Sequence, residues 1–288
     1  MKEVTFSFLS EKQLPQLHQT FIAAFADYVV PIQLSWEQFQ AKVTREGITP
    51  SFCVAAFAGE QMVGFILTGL GEWQGKPTAY NAGTGVIPAF RGQHITQQLY
   101  QFLLPKLRES GVEQCLLEVI QENAPALKSY QHTGFHITRS LDCFRGLKNE
   151  LLFQVPPPEA ITIVEAAIPD WQAYAALQEV LPTWQNAPQA IKRSIDTTLI
   201  LEAQTTGQEL VGYAVLYPKN GAIAQLAVAE AYRRLGIGTA LLRAMSSRTE
   251  APALLLINVD AVAHDTISFL ERRLFRTILK QYEMLLPL

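Results

Sequence analysis

Residues 81–107 read NAGTGVIPAFRGQHITQQLYQFLLPKL, and this stretch decides the fold. It predicts a strand that ends near Val86, a tight polar turn at 91–94 and a helix that begins directly after the turn. Apolar side chains recur at helical spacing along the helix, at Leu99, Phe102, Leu103 and Leu107. The helix therefore packs by one face, and this packing fixes its beginning against the sheet.

The beginning of this helix is a candidate anion-binding site. The first turn of a helix has backbone N–H groups without intrahelical partners and carries the positive end of the helix dipole. Arg91 adds a positive charge just ahead of it, and Gly92 lets a bulky ligand approach the backbone. A phosphate-bearing cofactor would use these features, and an ordinary strand-turn-helix corner is the alternative that this stretch alone leaves open.

The composition indicates a soluble globular protein of two domains. A chain of 288 residues can form two cores of ordinary size. Hydrophobic residues make up 49% and charged residues 17%, which excludes a disordered chain. The net charge of −3 and the isoelectric point near 6.0 exclude a general electrostatic attraction to nucleic acid or to an acidic membrane surface.

Targeting signals are not expected in this sequence. The first ten residues, MKEVTFSFLS, include an acidic residue at position 3 and no long apolar run, which argues against a signal peptide. No segment approaches the roughly 18 uninterrupted apolar residues of a membrane span. The expected location is the cytoplasm.

The three cysteines are expected to be structural. Cys53, Cys115 and Cys143 are odd in number, widely spaced and set among strand-like residues. Because no paired spacing suggests a nucleophile or a metal site, we interpret them as small buried hydrophobic residues.

The first half of the chain alternates predicted strands and helices. A strand is predicted at 3–9, a helix at 11–28 and a second helix from Ser35, a plausible N-cap with Gln38 three residues on. The remaining predictions are a hairpin of strands 52–57 and 62–68, a long glycine-rich loop at 69–75, a strand at 114–120, a helix at 123–131 and a strand at 135–141.

A linker and an internal repeat follow. Residues 154–160 contain three consecutive prolines and act as a stiff spacer, which predicts domains at 1–153 and 161–288. Past the linker the same order of elements returns: a strand at 161–165, helices at 170–180 and 188–194, and strands at 198–203, 210–216 and 222–228, followed by a polar turn and a helix. Each repeat has an arginine at the corner and a phenylalanine further on. Arg91 precedes Phe135 by 44 residues and Arg233 precedes Phe275 by 42, and this similar spacing indicates a duplication.

Two motifs carry a resemblance to a known family. The second corner, Arg233-Arg234-Leu235-Gly236-Ile237-Gly238, fits the pattern of arginine or glutamine, two residues, glycine, one residue, and glycine or alanine of the GNAT acyltransferases. In the first half, Asn123, Ala126, Tyr130 and Gly134-Phe135 fit the second motif of that family. Repeated in order on both halves, these motifs make the chain resemble a tandem GNAT acetyltransferase.

This resemblance implies the fold, the cofactor and its binding residues. Each half is expected to be a mixed α/β domain whose mostly antiparallel sheet splays between its fourth and fifth strands, and the pantetheine arm of acetyl-CoA lies in that wedge. A primary amine of a small molecule or a peptide is the implied acceptor. The implied cofactor-binding residues are Val86, Arg91, Gly92, Gln93, His94, Ile95, Thr96 and Asn123 in the first half, and Val228, Arg233, Arg234, Leu235, Gly236, Ile237, Gly238 and Thr239 in the second.

The two halves depart from the family pattern in opposite ways. In the first corner His94 and Thr96 stand where glycine, and glycine or alanine, are preferred; both carry a hydrogen-bond donor, so weakened binding is expected. The second corner is intact. Counting back from Phe275, however, Leu270 stands in the place of the tyrosine and Ala263 in the place of the asparagine, and Leu274 replaces the glycine.

Tyr130 is the predicted catalytic acid. A phenol with a pKa near 10 remains protonated at pH 7 and can protonate the departing thiolate; aromatic packing is the alternative. Asn123 either orients the cofactor or caps its helix. For the general base we consider Glu118 and Glu122. His132 is interpreted as a surface residue, and His264-Asp265 as the beginning of a helix.

The sequence leaves three roles open. In the first alternative, the first half catalyses the transfer while the second half binds coenzyme A. In the second alternative, the second half is the catalytic one. In the third, neither half catalyses a reaction and the protein is an acyl-CoA-binding sensor. The loop at 69–75 is expected to line the acceptor site, bordered by Tyr28, Trp36 and Trp73. The sequence specifies neither the acceptor nor the oligomeric state.

Overall fold

The computed structural model describes residues 3–27, 33–156 and 158–288, which form two compact units. The first unit consists of Met1–Arg139 and Tyr282–Leu288, and the second of Ser140–Gln281. The two units thus differ from the two sequence repeats in their last strands. The linker at 154–160 belongs to the second unit.

The first unit is a mixed α/β fold. Its strands are β1 (Val4–Phe8), β2 (Val54–Ala58), β3 (Gln61–Trp73), β4 (Lys76–Val86) and β5 (Gln114–Ile120), and its helices are α1 (Leu14–Phe25), α2 (Trp36–Glu46), α3 (Ile95–Glu109) and α4 (Ala124–Thr133). The order β1-β2-β3-β4-β5 is antiparallel except for the parallel pair β4–β5. Strand β6 (His136–Leu147) begins in this unit, and the final strand, β12 (Arg276–Pro287), ends in it beside β5.

Local sequence signals account for most of these elements. Ser35 caps α2 in a capping box with Gln38, as predicted. Leu99, Leu103 and Leu107 of α3 are fully or almost fully buried in the core that the sheet covers. Phe102, predicted on the same apolar face, is 39% exposed and packs on the ring of Phe8.

The predicted loop at 69–75 is wrong, because these residues belong to a long hairpin. β3 continues to Trp73 and pairs with β4, which begins at Lys76. The connection is Gln74-Gly75, two residues with φ of 52° and 77°, as in a tight hairpin turn. Glycine favours strands weakly, which is why the sequence Gly-Leu-Gly was interpreted as a loop. Of the aromatic residues expected near this loop, Trp73 lies in β3, Trp36 begins α2 and Tyr28 lies outside the described residues.

The second unit repeats the same plan. Its strands are β7 (Ile161–Glu165), β8 (Leu199–Thr205), β9 (Leu210–Tyr217), β10 (Ala222–Val228) and β11 (Ala253–Asp260), and its helices are α5 (Trp171–Leu177), α6 (Pro188–Arg193), α7 (Ile237–Arg248) and α8 (His264–Glu271). The end of β6 borders β11, the order continues β10-β9-β8-β7, and the parallel pair is β10–β11. None of the helices in the described part of the chain is long and apolar enough to cross a membrane.

Matching main-chain hydrogen bonds confirm the duplication. The amide of Arg91 donates to Pro88, and that of Arg233 donates to Glu230, three residues back in each case. The turn that follows the second motif is equally conserved between the copies, because the amide of Phe135 bonds the carbonyl of Tyr130 and that of Phe275 bonds the carbonyl of Leu270. The two copies therefore fold alike at the positions where their side chains differ.

Candidate active site

In each unit the parallel strands separate and leave a wedge. β4 and β5 pair from Thr78–Gln114 to Asn81–Leu117 and then diverge. β10 and β11 pair only at Ala222–Leu255. The predicted wedge is thus present in both units, and a helix begins at its mouth each time.

The first corner, residues 91–96, is an open helix beginning. Gly92 and His94 both have left-handed backbones, with φ of 75° and 58°. A Cβ atom at Gly92 would meet nothing within 4 Å. The amides of Ile95 and Thr96 donate to no acceptor among the residues that the structure describes. A diphosphate could therefore approach the backbone at Gly92 without meeting a described residue.

Arg91 holds the first corner in place. Its guanidinium forms a fork with both carboxylate oxygens of Asp27 at 2.7 Å and also donates to the carbonyls of Val86 and Ala24. This hydrogen-bonded pairing raises the pKa of Arg91 and lowers the pKa of Asp27. Both side chains are about half exposed, so the ion pair adds little stability. Arg91 thus connects α1 and β4 to the first corner through hydrogen bonds.

A cavity of about 790 Å³ opens at the first corner. Tyr130 lines it, is 8% exposed and packs edge-on against Tyr100 and Phe135. The other predicted residues that line this cavity are Val86, Arg91, Gly92, His94, Ile95, Thr96 and Asn123. Gln93 and Glu118 do not line it. The tyrosine and the first corner are therefore parts of one site.

Asn123 is a helix cap. Its Oδ1 accepts a hydrogen bond from the amide of Ala126 at 3.2 Å at the beginning of α4. His132, interpreted from the sequence as a surface residue, is exposed and lies on the rim of the cavity. The cap thus satisfies one main-chain amide at the beginning of α4.

Glu118 lies on the opposite face of β5 from the α3 core. Its neighbours Leu117 and Val119 pack in the core cluster with α3, so the Glu118 side chain points to the other face. Its Oε2 accepts a hydrogen bond from Tyr80 at 2.5 Å, whereas Oε1 is buried and has no hydrogen-bond partner among the described residues. Glu122, the other candidate base, is simply exposed.

Burial raises the pKa of Glu118 to about 8. The hydrogen bond from Tyr80 opposes this shift, the negative charges of Glu283 and Glu46 add to it, and Arg139 lowers the pKa. Below that pH the carboxyl group is neutral, and above it a carboxylate is present. Glu118 can therefore gain or lose a proton close to neutral pH.

The second corner, residues 233–238, is partly covered by the chain itself. Arg233 bonds the carbonyl of Val228 at 3.2 Å, as Arg91 bonds that of Val86, and pairs with Asp265 at 2.8 Å. Gly236 has a left-handed φ of 91°, and a Cβ atom there would lie 2.9 Å from Val155 and 3.0 Å from the carbonyl of Pro156. This glycine therefore makes room for the linker.

Three arginines that the sequence analysis did not single out as a group surround the second corner. Arg234, Arg272 and Arg273 line a cavity of about 730 Å³ and form no ion pair with a described carboxylate. Arg273 donates to Thr239 Oγ1, and burial followed by the charge of Arg272 lowers its pKa. Such a group of cations suits a ligand with several phosphates. Arg234 belongs to the corner motif, whereas Arg272 and Arg273 had no sequence signal beyond their adjacency.

The second unit has no tyrosine at the position that corresponds to Tyr130. Leu270, at the position of Tyr130, is fully buried in the core. Leu274 has φ of 64° where Gly134 has 108°, so a leucine occupies the backbone conformation of a glycine. The amides at the beginning of α8 are capped by Glu179, since Ala263 cannot cap them.

The wedge, the corner and the capped helix occur together in both units, so one α/β fold is present twice. Residues 14–135 and 163–274 match the Acetyltransferase (GNAT) family. The chain therefore belongs to this family, with two GNAT domains in tandem. A comparison with curated proteins found no match.

Solved structures show the same fold at low sequence identity. A tandem GNAT protein from the clavulanic acid biosynthesis pathway is 17% identical over 99% of this chain and 98% of its own, with a TM-score of 0.72. A GCN5-related N-acetyltransferase from Sphaerobacter thermophilus is 17% identical over 99% and 95%, with a TM-score of 0.74. A putative acetyltransferase from Pyrococcus horikoshii is 15% identical over 100% and 90%, with a TM-score of 0.69. The family supports acyl transfer as the general activity.

Proposed function

We propose that the protein transfers an acetyl group from acetyl-CoA to a primary amine of a small molecule or a peptide, and that the first unit does the chemistry. The observation that carries this proposal is the position of Tyr130 in the same cavity as the open first corner. In the second unit the corresponding residue is a buried leucine. The test is a panel of amine acceptors assayed by thiol release.

The residues of the first corner suit the diphosphate of coenzyme A. The amides of Ile95 and Thr96, at the positive end of the α3 dipole, donate to no described acceptor, and a Cβ atom on Gly92 would meet nothing within 4 Å. The pairing of β4 with β5 ends at Asn81–Leu117, which leaves the last residues of β4 unpaired on that side and supports a place for the pantetheine arm. Acetyl-CoA supplies the acetyl group as a thioester that an amine can attack directly.

In the proposed reaction, Tyr130 donates one proton and Glu118 accepts another. As the amine nitrogen bonds the acetyl carbon and the carbon–sulfur bond breaks, the Tyr130 phenol gives its proton to the leaving sulfur. Glu118, on the opposite face of the strand, accepts the proton that the amine loses. The products are the acetylated amine and the free thiol, and proton exchange with water then returns Tyr130 and Glu118 to their starting forms.

A non-catalytic acyl-CoA-binding protein is the second candidate. The features that favour it are in the second unit, where the arginines are present and the acid is absent. A catalytic second unit would need another proton donor in place of Leu270. Carrier binding without thiol release for any amine would favour the non-catalytic alternative.

We expect the acetylation rate to rise with pH through about 8, because the pKa of Glu118 is raised to that value by burial. The base form of a carboxyl group exists only above its pKa, so the rate should fall toward acidic pH. Glu118→Gln keeps the shape of the side chain and removes the titration. It should lower kcat/KM at pH 9 by about 10²-fold and flatten this limb of the profile.

The profile of kcat/KM against pH, measured for both proteins between pH 6 and 9.5, distinguishes the outcomes. An unchanged profile in Glu118→Gln would exclude Glu118 as the base. Because the groups facing Glu118 include Tyr80, Glu46, Arg139 and Glu283, thermal unfolding of the variant should accompany the kinetics.

A further inference from the structure

Strand β11 contains one residue more than β5, its counterpart in the first unit. Leu116 and Leu255 occupy the same position in the parallel pairing, and their numbers differ by 139. Phe135 and Phe275 also correspond, and their numbers differ by 140. The pairing of β11 with β6 shifts register after Leu256, which locates the extra residue in a β-bulge.

Asn258 lies in this bulge with a strained backbone. Its φ is 60°, a left-handed conformation that asparagine tolerates better than most residues. It is 5% exposed and lines the second cavity. Bulges and left-handed non-glycine residues concentrate at functional sites, where they redirect a side chain.

The Asn258 side chain has one unused hydrogen-bond donor. Its Oδ1 accepts from Gln281 Nε2 at 2.7 Å and from Cys143 Sγ at 3.6 Å. Its Nδ2 is buried and has no acceptor among the residues that the structure describes. A buried donor without a partner is costly, so its retention indicates an acceptor that the chain does not supply.

The other amide side chains of the same cavity are already bonded. Gln225 Nε2 donates to the carbonyl of Asn186 at 2.6 Å, and Asn186 Nδ2 donates to the carbonyl of Ile257 at 2.9 Å. Gln178 donates to the hydroxyl of Tyr213. Among the described amide side chains of this cavity, the Asn258 Nδ2 group is the one without an acceptor.

We propose that the second cavity binds a thioester of coenzyme A without turning it over, and that Asn258 donates a hydrogen bond to a carbonyl oxygen of that ligand. The proposal rests on the proposed function, because the ligand is the same carrier. Between Leu256 and Val259 the bulge holds Ile257 and Asn258, where the first unit has Glu118 between Leu117 and Val119, so no carboxyl group stands at this position of the second unit. An amide cannot accept the proton of an amine, and Leu270 cannot donate one.

Calorimetric titration of the full chain tests this proposal. The first corner is disabled by Thr96→Glu, and acetyl-CoA and coenzyme A are then titrated separately into this protein with and without Asn258→Gly. Glycine adopts the positive φ freely and removes the donor, so the variant should fold. We expect acetyl-CoA to bind roughly 3- to 10-fold more weakly after the substitution, the loss of one hydrogen bond. Asn258→Asp, of nearly the same shape, replaces the donor by an acceptor and should weaken binding at least as much.

The two ligands distinguish the two carbonyl sources. Weaker binding of acetyl-CoA alone identifies the acetyl carbonyl, and equal weakening of both ligands identifies an amide carbonyl of the pantetheine arm. Unchanged binding of both, or no binding of either in the Thr96→Glu protein, would overturn the proposal. Thiol release by the unsubstituted chain with a panel of amines tests the proposed function separately, because it does not depend on Asn258.

Discussion

Replacement of Tyr130 by phenylalanine is expected to lower the acetylation rate by about 10²-fold or more, with little change in the affinity for acetyl-CoA. The ring would still pack against Tyr100 and Phe135, so the variant should keep its fold. Only the hydroxyl that protonates the leaving sulfur is lost. Because this interaction forms in the transition state, the effect should fall on kcat and leave KM nearly unchanged.

Tyr282→Phe is the matched control for this experiment. Tyr282 is half-buried against the same core as Tyr130 and is not among the residues that line the first cavity. It should retain the wild-type rate. A Tyr130→Phe enzyme as fast as this control would remove Tyr130 from the mechanism and leave the acceptor or solvent as the source of the proton.

Thr96→Glu is expected to weaken the binding of acetyl-CoA to the first unit by about 10²-fold or more. Thr96 lies in the first turn of α3, at the first corner, and lines the cavity. Two unit charges of like sign about 4 Å apart repel by about 4 kcal/mol at an effective dielectric constant of 20, and each 1.4 kcal/mol is a factor of ten in affinity. A glutamate there also complements the helix dipole, so the fold should be retained.

Gln101→Glu provides the same charge on an exposed position of the same helix. It lies outside the first cavity and should bind acetyl-CoA like the wild type. KM for acetyl-CoA, measured for all three proteins at two salt concentrations, separates local repulsion from a general charge effect. Equal KM values for Thr96→Glu and Gln101→Glu would show that α3 does not hold the carrier.

The elements with strong local signals could be predicted from the sequence. The helix after the first corner, the strand at Gln114–Ile120 and the capping box at Ser35 depend on periodicity and capping, which are local properties. The hairpin through Gly69 could not be predicted. Its stability comes from pairing with β4 and from a close approach to the Glu46 carbonyl, where a Cβ atom on Gly69 would lie 2.3 Å away.

The residues of the candidate site could be predicted where they belong to a sequence motif. Contacts between residues from distant segments of the chain could not be predicted. Tyr130 and the first corner belong to motifs, and they meet in one cavity. The ion pairs of Arg91 with Asp27 and of Arg233 with Asp265 depend on long-range packing. The contact of Val155 with Gly236 and the bulge at Asn258 also depend on it, and their neighbouring residues have no distinctive spacing.

A crystal structure of the protein with coenzyme A would show whether the open beginning of α3 holds the diphosphate of the carrier. We expect the diphosphate oxygens within about 3.2 Å of the amide nitrogens of the first corner, with the pantetheine arm between β4 and β5 and its thiol end directed toward Tyr130. Coenzyme A bound at saturating concentration with its diphosphate away from residues 91–96 would contradict the account.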